Sequence, residues 1–255
     1  MISKDMNESA VKFYEKNKDF AWTVQPIPSN LTTNIQKAQW ILNTADFGWI
    51  ELDIDFDLTS WQKEVEPARP YFVAHREDNN TGWNSCCIHG IDTDKTGAWT
   101  NYGYTDENTV PYGWTELSHK TVEIKKFWQD KFPSDNYRRI RFMELEPKSA
   151  ITPHSDMPGK LPGETGMDML DFGVPVNLAV IHPNDCYMVL EGYGIVPFQQ
   201  GRAFVVNIRK YHSVINFSDQ SRIHVIGHSN GYGSKKQEFA QLLVRSYCKM
   251  EASHV

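Results

Sequence analysis

Several stretches in the second half of the chain read as strands, in which side chains alternate faces with a period of two. Residues 138–156 read as a strand, a Pro147-Lys148-Ser149 turn and a second short extended segment ending in His154-Ser155-Asp156. Residues 174–181 form a nearly continuous apolar run, the pattern of a buried strand. Gly201 opens a turn and a strand follows, with His212 beyond its end. Residues 223–226 predict the last strand, with Phe217-Ser-Asp-Gln220 as a hairpin turn before it. Nearer the start, residues 47–57 set Trp49, Glu51, Asp53 and Asp55 against Ile50, Leu52, Ile54 and Phe56, a half-buried strand with one acidic, solvated face. Residues 67–115, rich in Trp, Tyr, Gly, Asn and Thr, predict short strands joined by turns. Helical spacing appears at 5–18, from a Ser29-Asn30 cap to about Thr44, over 116–132 with Pro133 as the stop, and in an amphipathic run from Ser234 to Tyr247. The expected class is mainly β with flanking helices (α+β).

Chemistry gathers on the strands. Side chains two apart on an extended chain share a face, so His154 and Asp156 present an imidazole and a carboxylate together. With His212 they make the 2-His-1-carboxylate set that leaves positions open on non-haem Fe(II). The 217–220 turn would set His212 and Arg222 near each other on adjacent strands. A buried arginine is costly without a carboxylate and grips one through its fork, which is what a dicarboxylate such as 2-oxoglutarate needs. His224 shares the Arg222 face and is either a pocket donor or a satisfied core histidine; Asn177, on the 174–181 strand, offers an amide NH2 to a carboxylate.

The run Arg-Ile-Arg-Phe-Met-Glu-Leu-Glu-Pro-Lys-Ser-Ala-Ile-Thr-Pro-His-Ser-Asp, the segment Asn-Leu-Ala-Val-Ile-His-Pro, and Gly-Arg-Ala-Phe-Val-Val-Asn through His212 to Arg222 resemble a known family. It is the aspartyl/asparaginyl β-hydroxylase-like group of Fe(II)/2-oxoglutarate oxygenases, which includes bacterial proline hydroxylases. The resemblance covers roughly residues 137–228, and the ten-residue step from His212 to Arg222 is its most specific element. It implies a double-stranded β-helix (jelly roll, cupin-like), Fe(II) on His154, Asp156 and His212, and 2-oxoglutarate on Arg222. It further implies O2 as co-substrate and hydroxylation of an unactivated C–H of an amino acid or peptidyl residue, giving succinate and CO2. Animal members lack the carboxylate ligand, so Asp156 makes the chain similar to the proline-hydroxylase branch. Where the family usually has Arg-x-His-Leu, this chain has Pro175-Val-Asn177-Leu.

Composition narrows the partners. A net charge of −6 with interspersed signs leaves no footprint for nucleic acid, and no apolar run approaches a membrane span. Four cysteines without a CxxC pair argue against a thiolate zinc site and a disulfide framework; with no apolar leader, the expected compartment is the cytoplasm. The expected partner is a small amino acid, or a peptide or protein, and oligomeric state is open. Residues 1–115 are expected to form an N-terminal helical and β extension packed on a 116–255 catalytic core as one compact unit. Arg141, Trp83 and Trp99 are candidate substrate contacts, against the alternative that the aromatics only pack the sheet. The Pro- and Gly-rich 157–172 stretch is either a lid or a passive insertion. Three rivals stay open: a cupin-like metal enzyme without 2-oxoglutarate, a non-catalytic jelly-roll binding module, and an oxygenase acting on a protein side chain.

Overall fold

The computed structural model describes residues 7–75, 82–156 and 168–253. Helix α1 (Glu8–Asn17) starts under Asn7, whose side chain accepts from Ser9 N at 3.0 Å. Helix α2 (Asn34–Asn43) starts later than the Ser29-Asn30 signal suggested, because Thr33 and Gln36 close a capping box there. Strand β1 (Trp49–Leu52) uses only the first part of the alternating 47–57 run. Asp57 turns the chain into helix α3 (Leu58–Ala68) by accepting from Ser60 N at 3.1 Å. That helix was not among the sequence-based expectations, although Trp61, Val65 and Ala68 are buried at helical spacing. On the acidic face, Asp53 pairs with Arg245 and Lys249, each at 2.9 Å.

Strands β2 (Val73–Ala74), β3 (Trp83–Gly90) and β4 (Gly113–Trp114) follow, with short helical turns between them. The expected single helix over 116–132 is instead a 3-10 turn, helix α4 (Val122–Lys126) and a π turn (Phe127–Lys131). The carboxylate of Glu64 on α3 accepts Glu123 N at 2.7 Å and Ile124 N at 3.0 Å, so α4 is capped from a neighbouring element. The remaining elements are β5 (Tyr137–Leu145), β6 (Ala150–His154), α5 (Met169–Phe172), β7 (Pro175–Ile181), β8 (Cys186–Leu190), β9 (Gly194–Ile195), β10 (Ala203–Val206), β11 (His212–Asn216), β12 (Arg222–Ser229) and α6 (Lys236–Ser253).

From β5 onward the chain passes back and forth between two antiparallel sheets. The larger runs β1-β10-β7-β12-β5-β3-β2, with β4 beside β3, and the smaller runs β6-β11-β8-β9. This alternation is that of a jelly roll, with helices outside. The pleat sorts each strand by parity. On β12, Ile223 and Val225 join the core under the helices, whereas Arg222 and Ile226 face a cavity between the sheets. On β7, Val176, Leu178 and Val180 face the helices, while Pro175 and Asn177 line the cavity and Ala179 packs in the inter-sheet core. The amphipathic α6 buries Phe239, Leu242, Leu243 and Tyr247 as its spacing predicts. Among the described residues, no helix is long and apolar enough to cross a membrane.

The hairpin expected between His212 and Arg222 does not form. Strand β11 pairs with β6 and β8, and β12 pairs with β5 and β7, so the 217–220 turn crosses between sheets and does not close a hairpin. His212 and Arg222 therefore meet across the barrel interior, not along adjacent strands.

The helix side of β12 is tightly filled at Gly227. A Cβ there would stand 2.2 Å from the ring of fully buried Trp128. Gly227→Ala is expected to destabilise the fold by about 1–3 kcal/mol, lowering the melting temperature by roughly 2–4 °C per kcal/mol. A melt unchanged from wild type would show that the ring has room to shift.

Candidate metal centre

His154 and His212 stand directly opposite each other on β6 and β11, and the next aligned pair is Ile151 with Val214. Three steps on β6 thus oppose two on β11, a bulge that contains Thr152 and Pro153. Proline in a strand interior needs such a break in the ladder. The extra residue lets Ile151 and His154, three apart, face the same cavity as His212 and Val214. The two imidazole centroids are 4.4 Å apart.

Backbone carbonyls set the rings. His154 Nδ1 lies 2.7 Å from Thr152 O and His212 Nδ1 lies 3.0 Å from Lys210 O. A carbonyl only accepts, so each Nδ1 carries the proton and each Nε2 presents a lone pair. Asp156 closes the set, with one carboxylate oxygen 3.5 Å from His154 Nε2 and the other 3.8 Å from His212 Nε2. Among the described residues these three form the one cluster of His, Cys, Asp or Glu whose donor atoms all lie within 4.8 Å. Two neutral imidazoles and a carboxylate on one side suit Fe(II) with open positions.

This cluster is held from the N-terminal part of the chain. Asp156 N donates to Ile208 O at 3.2 Å and Ser155 Oγ to Arg209 O at 3.0 Å, tying the carboxylate to the loop before His212. That loop is fastened in turn: Asn207 donates to Phe47 O at 2.9 Å, Arg209 to Leu42 O at 3.1 Å, and Lys210 pairs with Asp46 at 3.0 Å.

The triad opens on a cavity of about 490 Å³. Arg222, Asn177, Arg141, Trp83 and Trp99 all line it, so most of the residues singled out in the sequence converge here. Arg222 is 3% exposed and Arg141 6%, and neither makes an ion pair among the described residues. In each the Nε has no partner, and burial pushes the guanidinium down, to about 10 for Arg222 and about 9 for Arg141. Arg141 donates to Thr96 O at 2.5 Å, an oxygen it shares with Arg139 at 3.1 Å. An isolated buried cation is expensive, so two of them facing one cavity point to anions as its contents. His224 stands elsewhere. It is fully buried behind Arg222, off the cavity wall, with its Nδ1 2.8 Å from Arg222 Nη2.

Further residues line the cavity. His228 follows Arg222, His224 and Ile226 at the same two-residue step, so periodicity alone pointed to it. Arg139 lines it too, within the basic run Arg138-Arg139-Ile-Arg141. His75, an isolated histidine, and Tyr112 also line the wall. Of the 157–172 stretch, 157–167 lie outside the described residues. Its far end is anchored, with Asp168 accepting from Gln39 at 2.6 Å and Asn43 at 2.9 Å on α2.

A family model described as Aspartyl/Asparaginyl beta-hydroxylase matches residues 52–228. Comparison with curated proteins found no match. Solved structures that resemble the chain include an oxidoreductase of the 2OG-Fe(II) oxygenase family from Burkholderia pseudomallei, 10% identical with a TM-score of 0.45, covering 82% of this chain and 96% of that one. A Pseudomonas putida prolyl-4-hydroxylase is 15% identical with a TM-score of 0.40, covering 72% of this chain and 92% of that one.

Proposed function

This chain belongs to the aspartyl/asparaginyl β-hydroxylase family, and on that premise we propose that it is an Fe(II)- and 2-oxoglutarate-dependent dioxygenase hydroxylating a C–H bond of an amino acid or peptidyl residue. The observation that carries this is one cavity holding both a two-histidine, one-carboxylate cluster and a buried arginine without a counter-charge. Bound together, Fe(II), 2-oxoglutarate and O2 supply the oxidation: one oxygen atom enters the substrate C–H, and the other leaves in succinate as CO2 is released.

The chain supplies binding, orientation and shelter. His154, Asp156 and His212 hold the metal, with both histidine tautomers fixed in advance by Thr152 O and Lys210 O. Arg222 offers its fork to the distal carboxylate of 2-oxoglutarate, with the Asn177 amide on the same wall. Met143, Ile151, Met188 and Val214 line the interior and keep bulk water from the reacting centre. Arg141 takes an acid group of the substrate, and Trp83 and Trp99 bound its apolar part. A cupin-like metal enzyme without 2-oxoglutarate would instead have Arg222 in a structural ion pair, and none occurs among the described residues.

Anaerobic addition of 2-oxoglutarate to the Fe(II) protein is expected to raise a weak visible charge-transfer band, and a screen of amino acids and peptides to release succinate. For an accepted acid, Arg141→Met is expected to raise the substrate KM roughly tenfold to a hundredfold, the loss of one charge-assisted contact, with 2-oxoglutarate binding retained. No band and no succinate over the whole screen would reject the assignment.

A further inference from the structure

Arg222 is oriented by two histidines that do not line the cavity. Its Nη2 lies 2.8 Å from His224 Nδ1, and His224 Nε2 lies 3.0 Å from His182 Nδ1. A guanidinium only donates, which settles the direction of the whole chain. His224 Nδ1 accepts, so its proton sits on Nε2 and is donated to His182 Nδ1, leaving the His182 proton on Nε2. Protonating either ring at Nδ1 would break the sequence. Burial, and then the Arg222 charge, disfavour it: His182 is pushed down to about 3 and His224 lies well below the ordinary histidine range. Phe198 braces the group, its ring centroid 4.7 Å from that of His224, 5.5 Å from that of His182 and 5.8 Å from the guanidinium carbon.

A carboxylate in place of His224 would also aim the arginine, but it would cancel the charge that an incoming anion needs. A neutral imidazole gives a lone pair and no countercharge. We infer that His224, backed by His182, is a positioning residue that aims the Arg222 guanidinium into the cavity while keeping its full charge for a ligand carboxylate. This rests on Arg222 as the 2-oxoglutarate anchor.

The test is the affinity of 2-oxoglutarate for the anaerobic Fe(II)-loaded protein, measured by calorimetry, beside Fe(II) stoichiometry and the melting temperature. His224→Phe keeps the aromatic volume and removes the acceptor; affinity is expected to fall roughly tenfold, as for loss of one bond to a charged group. In turnover the KM for 2-oxoglutarate should rise by that factor, and kcat at saturation should fall by less, a split that general damage would not produce. His224→Asn can place Oδ1 where Nδ1 stood, so affinity is expected to recover to within about threefold of wild type. Should His224→Phe fail to fold, His182→Phe leaves the Arg222 bond in place and is expected to weaken binding about threefold by loosening His224. Wild-type affinity in folded, iron-loaded His224→Phe, or in His182→Phe where that variant replaces it, overturns the inference and leaves the co-substrate assignment standing. Absence of 2-oxoglutarate binding in the wild-type protein overturns the assignment itself.

Discussion

Stoichiometric Fe(II) is expected to disappear from both His154→Ala and His212→Ala after anaerobic reconstitution, and turnover with it. Each substitution leaves one imidazole and one carboxylate, too few to hold a divalent ion against water. The loss should exceed the roughly 10–100-fold that removing an outer partner of a metal ligand costs. The proteins should still fold, since neither ring belongs to the apolar clusters that carry the two cores. Asp156→Ala is the milder change. Its side chain is 39% exposed, whereas those of His154 and His212 are 16% and 5% exposed, so water can take the vacated position. Iron analysis with a thermal melt of the same samples decides the matter. Full iron in both histidine variants would remove these residues from the site.

Arg222→Met should separate function from stability. Methionine matches the length of the aliphatic stem and brings no charge. The 2-oxoglutarate affinity is expected to fall by at least tenfold to a hundredfold, the worth of a charge-assisted contact of about 1.5–3 kcal/mol. The ligand-free fold, however, loses a buried cation that has no counter-ion among the described residues. Replacing buried charges with apolar groups of similar volume is often neutral or stabilising, by about 1–4 kcal/mol. Against that gain, buried His224 Nδ1 loses its donor, at a cost of about 1–3 kcal/mol, so the melting temperature should stay near that of wild type while binding collapses. A marked drop in the melt, with 2-oxoglutarate affinity retained, would mean that Arg222 serves the fold and not a ligand.

How far the sequence carried depends on which residues local geometry could place. His154 and Asp156 were legible because extended chain alternates by rule, and Arg222, Asn177, Arg141, Trp83 and Trp99 do reach one cavity. The route to the Arg222 neighbourhood was misread, because a turn between two strands looks the same whether it closes a hairpin or crosses between sheets. The Thr152–Pro153 bulge was also hidden, since register is a property of the pair and not of one strand. Helix α3 had its apolar residues in view, but the alternation through Phe56 masked its start at Asp57. The break in the 116–132 helix is not visible in spacing at all, because the Glu64 cap arrives from another element. His182 stands in the Asn-Leu-Ala-Val-Ile-His-Pro segment that carries the resemblance, but only the folded chain brings it to His224.

The pairing of β1 with β10 has a consequence for any attempt to cut the chain down. Residues 49–52 cover β10 along its whole length, from Trp49 opposite Val206 to Leu52 opposite Ala203. Without them Ala203-Phe-Val-Val206 would become a bare edge strand, apolar on both faces and free of charge or proline. Such an edge is a template for pairing with other chains. A fragment beginning after β1 would keep every ligand of the triad and still be prone to aggregate, so in this architecture the first strand acts as a guard against self-association.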